Sequence, residues 1–124
     1  VDLKSAKAAY SEANFSLSMA ASGGYKAGQE GKVEIVLEAK APFHANDKYP
    51  YKFKTQESPG VTYPVAVVKK DQAKVENMKV TMPVAFTVAD AGKQRVSGVF
   101  HFSVCTDDKC LIEKRALAVD VDVK

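Results

Sequence analysis

The two cysteines are the residues of this chain whose type and spacing could support chemistry. Cys105 and Cys110 are separated by the four residues 106–109 in a chain of 124 residues. A pair at this spacing can bind zinc, remain as two free thiols or form a disulfide. Zinc needs two further ligands, and the two histidines, His44 and His101, fit no zinc-finger spacing. A disulfide is favoured because both cysteines flank a short turn between strand-like runs; two free buried thiols, common inside cells, remain the alternative.

A bridge between these cysteines would be poorly placed for stability and well placed for access. Closing so small a loop stabilises a fold by only about 2 kcal/mol on the chain-entropy relation. A structural bridge would do more by joining distant strands, whereas a bridge at a hairpin tip is open to another protein. The position therefore favours thiol–disulfide exchange about as much as a local structural brace.

Other catalytic machinery is not visible in the sequence. The chain has no nucleophile elbow, no phosphate-binding loop and no dinucleotide fingerprint. The four residues between the cysteines cannot supply the ligands of an EF-hand, so we expect no metal and no cofactor. His101 shares strand parity with Cys105 but lies about 13 Å away along a strand, so we interpret it as a surface residue and not as a base.

Composition limits the partners. The chain has 18 Lys and Arg against 15 Asp and Glu, and only Arg95 and Arg115 are arginines. Phosphate and base recognition favours arginine, so we expect no nucleic-acid partner. No apolar run approaches the roughly 20 residues of a membrane helix, so we do not expect this chain to span a membrane. The chain does not begin with Met, and we expect it to be a mature or trimmed form.

Alternation of apolar and polar residues predicts about seven strands and no long helix. The strand-like runs are Ala13–Ala20, Lys32–Lys40, Lys48–Lys54, Tyr63–Lys70, Met78–Val88, Val96–Val104 and Leu117–Val123. Such spacing is typical of an antiparallel sandwich or barrel, and we predict an all-β, immunoglobulin-like antiparallel β-sandwich. We interpret 1–124 as one domain. We expect 1–12 to be a frayed lead-in segment or a short helix, and 13–123 to form the sandwich.

Three local features refine this prediction. Pro83 cannot donate a ladder hydrogen bond, which predicts an edge position or a bulge. The segment 90–93 is typical of a hairpin turn. If Cys105 opposes Cys110, two charged residues, Glu113 and Arg115, fall on the apolar face, so we expect a bulge or break between 111 and 115 that turns both outward.

The predicted core lies between two sheets. Its members share the alternation of their strands: Val33, Ile35, Leu37, Val80, Val84, Phe86, Phe100, Phe102, Leu117, Val119 and Val121.

The run around Tyr49, Tyr51 and Phe53 has a second interpretation. Its aromatic residues share one parity and its lysines the other. An amphipathic strand explains this pattern, and a stacking platform for single-stranded nucleic acid on an oligonucleotide-binding barrel is the alternative.

The residues 102–111, Phe-Ser-Val-Cys-Thr-Asp-Asp-Lys-Cys-Leu, resemble the cysteine hairpin of a known family, the N-terminal periplasmic domain of the thiol:disulfide interchange protein DsbD (disulfide bond corrector family). Three upstream stretches agree in order: 33–37 with 42–44, then 51–54, then 80–84. The resemblance covers roughly residues 30–121. The family's hairpin has five residues between its cysteines, and its acidic, aromatic cap loop is replaced here by 63–70, which keeps only Tyr63.

The resemblance implies a bacterial, periplasmic or otherwise extracytoplasmic immunoglobulin-like domain that passes electrons between proteins. Cys105 and Cys110 match the redox pair, and Cys110 is the expected attacking thiol. The implied partner is a thioredoxin-like protein or a membrane electron donor, and the chain would then be a thiol–disulfide oxidoreductase. The alternative is a non-catalytic binding or structural module with a local disulfide. Candidates for contacts with a partner are Phe43, Tyr63, Asp107, Asp108 and Lys109.

Overall fold

Antiparallel strands make up the whole regular structure of the described residues, apart from one 3₁₀ turn at Lys70–Gln72. The computed structural model describes residues 7–21, 23–46, 48–56, 60–76 and 78–124. The strands are β1 Ala9–Ser11, β2 Phe15–Ala21, β3 Glu30–Ala39, β4 His44–Ala45, β5 Lys52–Thr55, β6 Val61–Thr62, β7 Val67–Lys69, β8 Lys74–Val75, β9 Lys79–Val88, β10 Gly92–Cys105 and β11 Cys110–Val123. The all-β prediction is confirmed.

The strands form two antiparallel sheets. The six-stranded sheet has the order β1-β2-β3-β9-β6, with β8 also paired to β9. The five-stranded sheet has the order β11-β10-β5-β7, with β4 paired to β10 beyond the end of β5. Since β9 and β10 belong to different sheets, the segment at 90–93 crosses between sheets and is not the hairpin turn that the sequence predicted.

One hydrophobic core includes buried residues from both sheets. Ten of the eleven predicted core residues are buried, and Val119 is half-buried against the same cluster. Aromatic rings join the sheets, since Phe15 of β2 meets Phe102 of β10 edge-on at 4.9 Å between centroids. The Phe102 ring also stacks on the Phe100 ring, and the Phe100 ring stacks on the Tyr51 ring. This row of rings supports the half of β10 that leads to Cys105.

Close packing explains the glycine in the middle of β10. A Cβ atom on Gly98 would meet the Lys54 carbonyl oxygen, and it would lie 2.5 Å from Cζ of Phe53. Only a residue without a side chain allows Phe53 to pack flat on β10 there.

Pro83 fits the edge position that its missing N–H predicts. It opposes Glu34 of β3, and on the other side of β9 the short strands β6 and β8 pair only with residues 87–88 and 80–81. Within the described residues, Pro83 therefore faces a gap where no ladder hydrogen bond is required.

The predicted lead-in is partly a strand. Residues 9–11 pair with 16–18 of β2, and Lys7 bridges to Leu117 of β11. Residues 1–6 lie outside the described residues. Among those described, no helix is long and apolar enough to cross a membrane.

Candidate functional site

The cysteines form a disulfide across the end of the β10–β11 hairpin. Their Cα atoms are 4.0 Å apart, and Cys105 directly opposes Cys110 in the ladder. The Thr106 N–H donates to the Lys109 carbonyl at 2.8 Å. Hydrogen-bonded and non-hydrogen-bonded pairs alternate along an antiparallel ladder, so the cysteines occupy a non-hydrogen-bonded pair, where side chains lie closest.

The bridge lies on the sheet face that points away from the core. Directly opposed residues share a face, and Phe100, Phe102 and Val104 occupy the inner face of β10. Cys105 has the opposite parity, as have Ser103 and His101. We call the surface that carries these residues and their partners on neighbouring strands the outer face. Cys105 is buried, but neither cysteine belongs to the hydrophobic core cluster.

The two cysteines differ in exposure. Cys105 is 4% exposed, whereas Cys110 is exposed. The reason is their place in the sheet. Cys105 lies on the central strand β10, between Cys110 on one side and His44 of β4 on the other. Cys110 lies on β11, at the edge of the sheet. An approaching protein therefore meets Cys110 before it meets Cys105.

Asn46 is the polar side chain that the fold brings to the bridge. Its Nδ2 is 3.9 Å from Sγ of Cys110 and 3.3 Å from Oγ of buried Ser103. The Lys48 N–H donates to Oδ1 of Asn46 at 3.0 Å, which directs the amide nitrogen toward the sulfur. The Asn46 carbonyl also accepts a hydrogen bond from the Tyr51 hydroxyl at 2.6 Å. The amide is thus held in a fixed orientation beside the exposed sulfur.

The turn between the cysteines is organised by Thr106. Its Oγ1 accepts hydrogen bonds from the backbone N–H of Asp108 at 3.3 Å and of Lys109 at 3.2 Å. This arrangement leaves the side chains of Asp107, Asp108 and Lys109 exposed around the bridge. Phe43 precedes His44 but is 8% exposed and belongs to the core.

Tyr63 is not part of this site. Its hydroxyl contacts the backbone of Ser97, with 3.3 Å to the Ser97 nitrogen. Ser97 lies eight residues before Cys105 on the same strand, roughly 27 Å away at the rise of a strand. Burial raises the pKa of the Tyr63 hydroxyl more strongly than this backbone contact lowers it. The segment 63–70 therefore does not cover the disulfide.

The structure has no bulge at Glu113 and Arg115, where the sequence predicted one. The ladder is regular from 92–105 to 110–123, with Phe102 opposite Glu113 and Phe100 opposite Arg115. Both charged residues are half-buried at the sheet edge. Arg115 bonds Glu12 at 2.8 Å and Glu113 at 3.1 Å and lies over the Phe15 ring. The register prediction is confirmed. The bulge prediction is wrong, because partners at the rim satisfy both charges.

The aromatic residues near β5 do not form an exposed stacking platform. Tyr51 and Phe53 are buried at 1% and 0% exposure, and Tyr49 packs edge-on against Tyr51. Within the described residues, no group of three or more His, Cys, Asp or Glu is placed to hold a metal ion.

Sequence reasoning missed His44, Asn46 and Ile112. Ile112 of β11 follows Cys110 on the outer face and is 70% exposed. The sequence could have identified Ile112 as a surface residue of interest, because it is an apolar residue on the polar face of a strand. No local pattern marks His44 or Asn46, whose proximity to the cysteines depends on the pairing of β4 with β10. No protein-family model matches the chain, and no curated protein matches it.

Proposed function

We propose that the chain is an extracytoplasmic thiol–disulfide exchange module on an immunoglobulin-like β-sandwich, acting through Cys105–Cys110. The observation that carries the proposal is the unequal exposure of the two cysteines, on an outer face where neither belongs to the core cluster. Two antiparallel sheets around one core and the resemblance to the DsbD N-terminal domain family support the finer fold and the periplasmic location. A disulfide suits an oxidising compartment.

The exchange begins at Cys110. A thiolate of a dithiol protein attacks Sγ of Cys110, the Cys105–Cys110 bond breaks, and Cys105 leaves as a thiolate that takes up a proton. The partner's second thiol then attacks the partner sulfur of this mixed disulfide and releases Cys110. The partner is oxidised to its disulfide, and this chain gains two electrons and two protons.

The reduced pair passes the electrons on by the reverse chemistry. The Cys110 thiolate attacks the disulfide of a second protein, and Cys105 resolves the mixed disulfide and restores the bridge. The Asn46 amide favours the thiolate form of Cys110, because hydrogen bonds to a charged form stabilise it.

Trapping experiments test the assignment of the two sulfurs. With Cys105→Ser, the remaining exposed thiol should form a mixed disulfide with an activated aromatic disulfide reagent. With the matched variant Cys110→Ser, the remaining buried thiol should react at least about tenfold more slowly, since reactivity follows exposure. Equal rates would contradict the assignment of Cys110 as the attacking sulfur.

The reduction potential separates exchange from bracing. Structural disulfides of secreted proteins typically lie below about −300 mV, and exchangeable ones lie higher. We expect a potential above that value, measured by equilibration with a glutathione or dithiothreitol buffer. A potential well below it, together with unfolding on reduction, would leave a non-catalytic module with a structural bridge.

Asn46 is a positioning residue in this proposal. In the reduced protein, Asn46→Ala should raise the pKa of Cys110, and Asn46→Asp should raise it further because a carboxylate repels a thiolate. The thiolate absorbance near 240 nm, followed against pH, measures this shift. A role limited to holding β4 would alter stability and leave the thiol titration unchanged.

A further inference from the structure

Four basic residues lie side by side across four strands of the outer face. Lys69 of β7 opposes Lys52 of β5, Lys52 opposes His101 of β10, and His101 opposes Lys114 of β11. Opposed residues share a face, and their Cβ atoms lie about 4.5–5.5 Å apart. Lys54 follows two residues after Lys52 on the same face. We call Lys52, Lys69, His101 and Lys114 the basic row.

The basic row is not compensated by ion pairs. In the described part of the chain, the ion pairs are Lys74–Glu76, Arg115–Glu12 and Arg115–Glu113. None includes a lysine of the row. The pKa of His101 is lowered mainly by burial and secondly by the charges of Lys52, Lys54 and Lys114. The electrostatic field of these lysines therefore acts on the imidazole ring. Lys52 and Lys69 are like charges placed directly opposite, which destabilise a sheet, so this pair does not serve stability.

The basic row is connected to the disulfide along β11. Cys110, Ile112 and Lys114 follow one another on the outer face of this edge strand, and all three are exposed. The row lies about 13 Å from the cysteine pair at the rise of a strand. One approaching surface can therefore cover the exposed sulfur, the apolar Ile112 side chain and the row together.

The charge changes sign beyond the disulfide. Asp107, Asp108 and Lys109 are exposed at the hairpin tip, on the side of the bridge opposite to the basic row, and two carboxylates against one ammonium leave the tip acidic. A uniformly anionic strand or membrane lying along this face would be attracted at the row and repelled at the tip. A protein surface with localised carboxylates meets only the attraction.

We propose that this outer face docks an acidic protein partner, whose carboxylates lie about 13 Å from its reactive sulfur and contact the basic row while Ile112 packs against its apolar surface. The inference rests on the proposed exchange function and names the chemistry of the partner. Electrostatic attraction would raise the encounter rate and orient the partner thiol toward Cys110.

A peptide series tests the docking directly. The probe carries one cysteine, a flexible linker of four residues and three glutamates, and matched peptides carry glutamines or lysines instead. We expect the acidic peptide to open the disulfide roughly tenfold faster than the glutamine peptide at low ionic strength, as in electrostatically steered association, with a mixed disulfide to Cys110 and a free Cys105 thiol as the first product and a second peptide thiol completing the reduction. The advantage should disappear at high salt.

Matched charge variants locate the effect. Lys52→Glu with Lys114→Glu should abolish the advantage of the acidic peptide. Lys26→Glu with Lys124→Glu makes the same change in net charge at exposed positions near the other end of the hairpin and should keep it. An equal loss in both variants would show that net charge alone is responsible and would overturn the proposal.

Peptides with serine in place of the cysteine separate docking from exchange. If the acidic serine peptide shifts the NMR signals of Ile112 and His101 while no thiol peptide reduces the bridge, docking stands and the exchange function fails. If the bridge is reduced at equal rates by the acidic and glutamine peptides and the serine peptide causes no shift, docking is overturned and exchange stands. Tighter binding of an oligothymidylate or of phosphatidylserine vesicles at the same signals would also overturn the proposal.

Discussion

The outer face of the β10–β11 hairpin has different charge patterns at its two ends. At the end near Gly92 and Val123, which we call the open end, Lys93 opposes Asp122 and Arg95 opposes Asp120. At the cysteine end, His101 opposes Lys114, and Lys52 lies on the other side of His101. The same two strands thus pair basic with acidic residues at one end and basic with basic residues at the other.

The open end has the cross-strand arrangement of charges that stabilises a sheet. Cross-strand pairs of opposite charge contribute roughly 0.2–1 kcal/mol, and like pairs cost a similar amount. The hairpin accepts the complementary pattern without distortion, since the ladder is regular throughout. The fold therefore does not require paired basic residues at the cysteine end, and binding is the explanation that we propose for them.

The largest expected effect comes from moving the bridge to the open end. Lys93→Cys with Asp122→Cys, in a Cys105→Ser, Cys110→Ser background, would close a loop of about 30 residues on the same face. The chain-entropy relation gives roughly 3.5 kcal/mol for it, against about 2 kcal/mol for the native bridge. Urea unfolding of the oxidised and reduced forms measures both. A native bridge that stabilises as much as the new one would contradict our view that its position serves access.

Removing the native bridge should have the next largest effect. Cys105→Ser with Cys110→Ser should lower the free energy of unfolding by about 2 kcal/mol or less, because only a short loop is released. The circular dichroism spectrum should keep its β-sheet form, since the core lies on the other face of β10. Loss of the folded state would show that the cysteine end depends on the bridge.

Reversing one charge at each end of the hairpin should change the free energy of unfolding by a smaller amount, with opposite signs at the two ends. Lys114→Glu should stabilise the protein by about 0.2–1 kcal/mol at acidic pH, where the new carboxylate opposes a protonated His101. Asp120→Lys should destabilise it by about the same amount by placing a lysine opposite Arg95. Thermal unfolding at low salt measures both changes, and high salt should reduce them. Destabilisation by Lys114→Glu would show that the basic row has a structural role.

The smallest effect is the titration of His101. Its pKa is lowered by burial first and then by Lys52, Lys54 and Lys114. The unfolded chain therefore binds the proton more readily, so the contribution of His101 to stability is full above about pH 6.5 and is lost as pH falls toward the folded pKa.

The proton signals of the His101 ring, followed by NMR against pH, measure this directly. Lys114→Gln should raise the pKa of His101, and Lys26→Gln should leave it unchanged. A pKa of His101 that does not respond to Lys114→Gln would show that the charges of the basic row do not reach the ring.

Local patterns predicted much of the fold from the sequence. The alternation in 33–37 and 100–104 identified the inner faces of β3 and β10, and Pro83 indicated the unpaired stretch of β9. The spacing of Cys105 and Cys110 predicted their bridge and the register of the hairpin. These inferences succeeded because side-chain direction in a strand depends only on parity and on the closing turn.

Pairing between distant segments was not predictable in the same way. The sequence marked 90–93 as a hairpin turn, since no local signal shows that β9 and β10 belong to different sheets. It predicted a bulge at 111–115, because no residue close to Arg115 in the sequence identifies Glu12 as its ion-pair partner. It offered Tyr63 as a residue beside the cysteines, although Tyr63 contacts Ser97 at the other end of β10.

The sequence by itself favoured a bridge between the cysteines, because only a short turn separates the two strand-like runs that carry them. The tertiary structure alone decided which cysteine is exposed. That difference arises because β4 covers β10 at Cys105 and leaves β11 at the sheet edge. The same pairing brings Asn46 to Cys110, and the pairing of β7, β5, β10 and β11 aligns four separate basic residues. Side-chain parity is a property of one strand, whereas neighbours across a sheet depend on the order in which strands assemble.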